Sequence, residues 1–131
     1  MLRCLKALIL AGLVTLISVP ASAGEFNAEC RGYSPEETVR CAAVKQEPPG
    51  GVREALAVWN CESGFGVEGY HTDPYHGPFQ YLRSTYATQF WTLEDVRGWF
   101  ELSPDVHDVR SNIVLAVAWA AHYSWAPWDC A

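Results

Sequence analysis

Apolar and polar positions along the chain fall into blocks of helical period separated by clusters of glycine and proline. Ser34-Pro35-Glu36-Glu37 supplies a capping hydroxyl, a proline for the first helical position and two acids for the first turn, which predicts a helix over about 35–45. Pro48-Pro49-Gly50-Gly51 ends it and reads as a hinge. From Val52 to Glu62, at 100° per residue, Val52, Ala55, Leu56, Val58 and Trp59 share one arc, with Arg53 and Asn60 on the other side. Glu62 falls inside the apolar arc, in the last turn before Gly64. A carboxylate there is partly desolvated and sits at the negative end of the helix dipole, and both effects disfavour its charge. If the helix stopped one turn earlier, Glu62 would be an ordinary solvated end residue.

Residues 65–82 are rich in glycine, proline and aromatics, the pattern of turns and short strands. Ser84 then reads as the cap of a helix over 85–91. After a polar stretch, Ser103-Pro104-Asp105 precedes a helix over about 108–123 whose run from Ile113 to Ala121 leaves almost no polar face, so it is expected to be central and buried. The tail Trp125-Ala126-Pro127-Trp128-Asp129-Cys130 is anchored by its aromatics and its cysteine. The expected class is α+β, mostly α, with one small β-hairpin.

Composition narrows the setting. The 131 residues are 50% apolar and 18% charged, a globular balance that excludes a disordered or fibrous chain. Residues 1–23 read as a secretory signal: Arg3 and Lys6, an apolar run over 7–19 too short to span a bilayer, and Ala21-Ser22-Ala23 for cleavage. Removing it takes Cys4 away and leaves Cys30, Cys41, Cys61 and Cys130, enough for two disulfides in three possible pairings. A Cys30–Cys41 bridge closes a short loop and would make residues 24–51 a self-contained extension ahead of a domain over 52–131. Seven basic residues against fifteen acidic ones then give a net charge of −8, which argues against nucleic-acid partners and against adhesion to anionic membranes. His71, His76, His107 and His122 show no ligand spacing such as His-Glu-X-X-His, so zinc is not expected.

Taken in order, Glu62-Ser63 at a helix end, the turn-rich stretch, Gly77-Pro78-Phe79-Gln80, the Ser84-Thr85 helix start and an alanine-rich helix entered through Asn112-Ile113 resemble one family. This is the lysozyme-like superfamily, in its lytic transglycosylase and resuscitation-promoting-factor-like branches, and the resemblance spans roughly 52–130. It implies a lysozyme-like fold, Glu62 as catalytic acid with Ser63 beside it, and Gly77, Phe79 and Gln80 lining a sugar cleft. The Cys61-Glu62 pair and the Trp-X-Pro-Trp-X-Cys ending resemble secreted actinobacterial members, which implies Cys61–Cys130 and leaves Cys30–Cys41. The chain departs from the pattern in its bulky approach Asp73-Pro74-Tyr75-His76, in Pro78 where Leu or Met is common, and in lacking an Ala-Tyr-Asn signature. These differences bear on substrate register rather than on class.

The chemistry agrees with the residue types. Cleaving a glycosidic bond needs a carboxylic acid still protonated near neutral pH, and a buried glutamate at a helix end supplies one. A hydrolase adds a second carboxylate, for which Asp73 and Glu68 are the candidates. A lytic transglycosylase is similar but uses one glutamate, and with no compelling second acid this is the expected mechanism: a secreted, wall-associated monomer cutting the MurNAc–GlcNAc β-1,4 bond of peptidoglycan strands, with no cofactor needed. Tyr75, Tyr81 and Tyr123 are candidates for stacking on sugars, whereas Trp59, Trp91, Trp99 and Trp119 are expected in the core. Two rival readings compete with this one. Asn60-Cys61-Glu62-Ser63-Gly64 faintly resembles a wall cysteine peptidase motif, with Cys61 as nucleophile and His122 as base. The other is a glycan-binding domain without turnover.

Overall fold

The computed structural model describes residues 26–66 and 74–130. The segment read as a secretory signal, together with Glu68 and Asp73, lies outside the described residues. Helix α1, Pro35–Gln46, begins with a capping box: Ser34 Oγ accepts from Glu37 N at 3.2 Å and the Glu37 carboxylate accepts from Ser34 N at 3.1 Å. It ends at Glu47 in the left-handed region, ahead of the two prolines. The segment expected to be a hinge is a fixed turn. Gly51 N donates to Pro48 O at 2.9 Å, and Pro49 O accepts the Trp125 indole N–H at 2.9 Å, so the tail holds the turn in place.

Helix α2, Gly51–Ser63, buries Ala55, Val58, Trp59 and Ser63, spaced three and four apart along one face, with Val58 and Trp59 adjacent. A two-stranded antiparallel sheet follows, β1 Tyr75–His76 and β2 Tyr81–Leu82, with Tyr75 opposite Leu82 and His76 opposite Tyr81. Strand β2 runs directly into α3, Arg83–Thr92. Ser84 therefore lies inside the first turn of α3 and is not its cap; that place falls to Leu82, which has no capping side chain. A short helix not foreseen from the sequence, α4, Glu94–Trp99, fills the polar stretch. At six residues it is too short to show a helical period.

Helix α5, Val109–Tyr123, is capped by Asp108, whose carboxylate accepts from Ser111 N at 2.9 Å. Every residue from Ser111 to Ala118 is buried, and α5 is the central helix, packed chiefly against α1. Helix α1 packs on both α5 and α2. Val39, Cys41, Ala42 and Ala43 join the same core as Ile113, Val114 and Val117, so that the apolar face of α1 is buried against its neighbouring helices. Arg110 reinforces the join, donating to Glu29 O, Phe100 O and Glu101 O at 2.7–2.9 Å.

Both disulfides form, Cys30–Cys41 and Cys61–Cys130, the usage of a protein that folds in an oxidising compartment. Among the described residues no helix is long and apolar enough to cross a membrane. The tryptophans divide: Trp59 is buried and Trp119 partly so, whereas Trp91 and Trp99 are two-thirds exposed rather than in the core. Trp91 is shelved instead by the Arg97 guanidinium, 4.7 Å from its ring.

Candidate active site

The C-terminal end of α2 is clamped before it reaches solvent. Gly64, at φ 60°, turns the chain and donates to Asn60 O at 2.7 Å. Ser63 points inward, donating to Trp59 O at 3.3 Å and accepting from Gly66 N at 3.2 Å, while the Trp59 indole donates to Gly66 O at 3.1 Å. Ser63 is thus a buried support of the helix end and is absent from the lining of the groove beside Glu62. Its neighbour Glu62 is the carboxylate that this clamp presents at the surface.

Glu62 stands in a groove of about 470 Å³, within the range typical of ligand sites. The hairpin contributes Tyr75, Gln80, Tyr81 and Leu82, α3 contributes Thr85, and the tail contributes Pro127, Trp128 and Asp129. No lysine or arginine is among these lining residues. Burial raises the Glu62 pKa above the ordinary carboxylate value, the negative charge of Asp129 raises it further, and a backbone hydrogen bond at Cys130 opposes them. The protonated form of Glu62 therefore persists to higher pH than that of a solvated glutamate.

The covalent framework explains why Asp129 is there. Cys61 precedes Glu62, Cys130 follows Asp129, and the bridge holds their Cα atoms 5.8 Å apart, so one bond sets both carboxylates on the same groove. No motif singles out Asp129 in the sequence. The signal was the Cys61–Cys130 pairing itself, since one neighbour of each cysteine, Glu62 and Asp129, is an acid. The same bridge removes the peptidase reading: Cys61 carries no thiolate, and His122 lies exposed at the end of α5 beside Tyr123.

The hairpin is positioned by one buried amide. Asn112, fully buried near the start of α5, accepts from Phe79 N at 3.0 Å and donates to His76 O at 3.2 Å and to Val106 O at 2.9 Å. Gly77, at φ 75°, passes so close that an added Cβ would run into the Asn112 amide. Gly77→Ala combines that collision with a left-handed backbone and is expected to lower stability by on the order of 3 kcal/mol, read from urea unfolding. Phe79 does not line the groove. It is fully buried, with ring centroids 6.2 Å from Trp125 and 6.3 Å from Trp128, and its carbonyl accepts the Trp128 indole N–H at 2.9 Å.

Of the residues expected at the site, the structure brings Glu62 and Gln80 together and adds Tyr75 and Tyr81 from the stacking candidates. Gln80, at φ 50°, lines the groove with its amide nitrogen bonded to Gly77 O at 2.9 Å. Gly77, Phe79 and Ser63 support it from behind, and Tyr123 is absent from its lining, its ring tilted 32° against that of Trp119. Among the described residues no three His, Cys, Asp or Glu side chains converge as a metal site would need. His76 and His107 meet through ring nitrogens 3.0 Å apart.

Comparison of the chain with known protein families, with curated proteins and with solved structures finds no match. The chemistry of the groove therefore has to be read from its own residues.

Proposed function

We propose that the protein is a peptidoglycan-cleaving glycosidase of lysozyme-like fold that works as a lytic transglycosylase, with Glu62 as its single acid and base. The observation that carries this reading is a glutamate with a raised pKa, held at a clamped helix end in the wall of an open groove. The sequence resemblance supplies the substrate class, and export to the wall goes with it. Protonated Glu62 gives its proton to the glycosidic oxygen as the C1–O bond breaks. The resulting carboxylate then takes the proton of the sugar's own 6-hydroxyl, whose oxygen closes onto C1 to give a 1,6-anhydro end. No cofactor enters this scheme.

Asp129 supports a second reading, hydrolysis by two carboxylates, because it faces the same groove. Mass analysis of muropeptides released from purified walls separates the two. Anhydro ends are the expected product; reducing ends would assign the chain to the muramidases. Absence of any released muropeptide would leave a binding domain and overturn the proposal.

Asp129→Asn provides a finer check. Removing the neighbouring charge lowers the Glu62 pKa, and activity that needs protonated Glu62 is lost as pH rises through that pKa. The alkaline limb of the pH–activity profile should therefore move to lower pH. A limb that stays in place would show that the charge of Asp129 does not reach Glu62.

A further inference from the structure

Helices α1 and α4 both pack on α5 but barely on each other, and a hollow of about 420 Å³ lies open between them. The C-terminal end of α1 supplies Lys45 and Gln46. Helix α4 supplies Asp95, Val96 and Trp99, with Phe100 just beyond its end. Val96 and Phe100 are buried and floor the hollow, whereas Trp99 is 67% exposed. Trp91 is as exposed but has the Arg97 guanidinium over its ring. Among the described residues Trp99 has no ring or cation against it and no acceptor for its indole N–H. A bare indole at the mouth of an apolar hollow has the make-up of a contact anchor, not of a solvated face.

The edges of the hollow say what would cover it. Lys45 stands on the α1 edge and Asp95 on the α4 edge, both exposed. Among the described residues neither side chain forms an ion pair or a hydrogen bond, with the other or with any third group. A surface with a cation on one side of an apolar centre and an anion on the other is complementary to itself. A two-fold rotation lays α1 of each chain against α4 of the other, so that Lys45 meets the partner's Asp95 twice over. A foreign partner would have to bring the matching charges; a second copy of this chain already carries them.

We propose that the hollow between α1 and α4 is the interface of a two-fold dimer, in which Trp99 of each chain enters the hollow of the other and Lys45 pairs with the partner's Asp95. The indole and the apolar floor supply the affinity, while the exposed ion pairs set the register. A dimer takes the place of the monomer expected from the sequence, in which α4 was not foreseen and Trp99 was assigned to the core. The hollow shares no lining residue with the Glu62 groove, so the interface does not rest on the glycosidase reading.

Sedimentation equilibrium tests the interface, in about 0.15 M salt so that repulsion between two acidic chains is screened beyond about 8 Å. The protein should approach twice the chain mass as its concentration rises. Trp99→Ser should weaken the association roughly thirtyfold. Lys45→Glu and Asp95→Lys should each sediment as single chains, because like charges then meet at both ends of the contact. Mixed in equal amounts, these two variants should dimerise again, one chain of each, since the exchanged charges then face each other with opposite sign. Only a contact that pairs position 45 with position 95 across a two-fold axis gives that recovery. All three positions are exposed, so urea unfolding of each variant should follow that of the dilute parent. A parent that stays monomeric up to about 1 mM would overturn the interface. So would masses that grow past two chains, a Trp99→Ser variant that associates like the parent, or a mixture of the two folded charge variants that stays monomeric.

Discussion

Glu62→Gln is expected to abolish release of muropeptides, by roughly 10²–10⁴-fold, while leaving the folded protein at least as stable at pH 7. The amide keeps the shape of the side chain but has no proton to give and no base to receive one. The stability half of the expectation follows from the direction of the pKa shift. Because the folded protein holds the Glu62 proton more tightly than the unfolded chain does, stability from this group is full below the unfolded pKa and is lost as pH rises through the folded one. Glutamine escapes that loss. The variant should therefore match the parent in urea unfolding near pH 4 and equal or exceed it at pH 7. A variant that keeps digesting walls would remove Glu62 from the chemistry. One that is markedly less stable at pH 7 would show that the carboxylate is a structural partner instead, contrary to its place in the groove wall and its burial-raised pKa.

The asymmetry between what could and could not be read from the chain lies in the range of the interactions. Helix α1 was legible to within a residue, because Ser34, Pro35 and Glu37 act on their own backbone. Helix α5 was legible because an unbroken apolar run has only one place to go. Glu62 was legible for the same kind of reason, from its angle on one helix. By contrast, the jobs of Gly77 and Phe79 depend on Asn112, more than thirty residues further on, and nothing in the spacing of Asn112 along its own helix points to the hairpin. A motif that names Gly77, Phe79 and Gln80 together does not say that only Gln80 faces the groove; the turn conformation decides that, sending Phe79 into the core against Trp125 and Trp128. A short disulfide loop by itself suggests a self-contained extension over 24–51, and what it does not reveal is that Cys30 and Cys41 are themselves buried within the common core.

The two disulfides should be separable by what their loss does. Cys61 and Cys130 lie 69 residues apart and Cys30 and Cys41 only 11, so in the chain-entropy picture removal costs about 4 kcal/mol for the first and about 3 kcal/mol for the second. Either is a large part of the stability of a small domain, roughly 5–15 kcal/mol in all. The paired alanine replacements should thus both unfold at lower urea, the Cys61/Cys130 pair lower if closure of the longer loop dominates. The site should tell them apart more sharply. Without Cys61–Cys130 the tail remains attached through the indoles of Trp125 and Trp128, bonded to Pro49 O and Phe79 O, but the bond that holds Asp129 beside Glu62 is gone. The Glu62 pKa should fall, and the alkaline limb of activity should move to lower pH, in the same direction as in Asp129→Asn. Loss of Cys30–Cys41, neither of which lines the groove, should lower stability and leave that limb where it is. Identical pH profiles in the two paired variants would mean that the bridge beside Glu62 serves the fold alone and does not set the acid's proton.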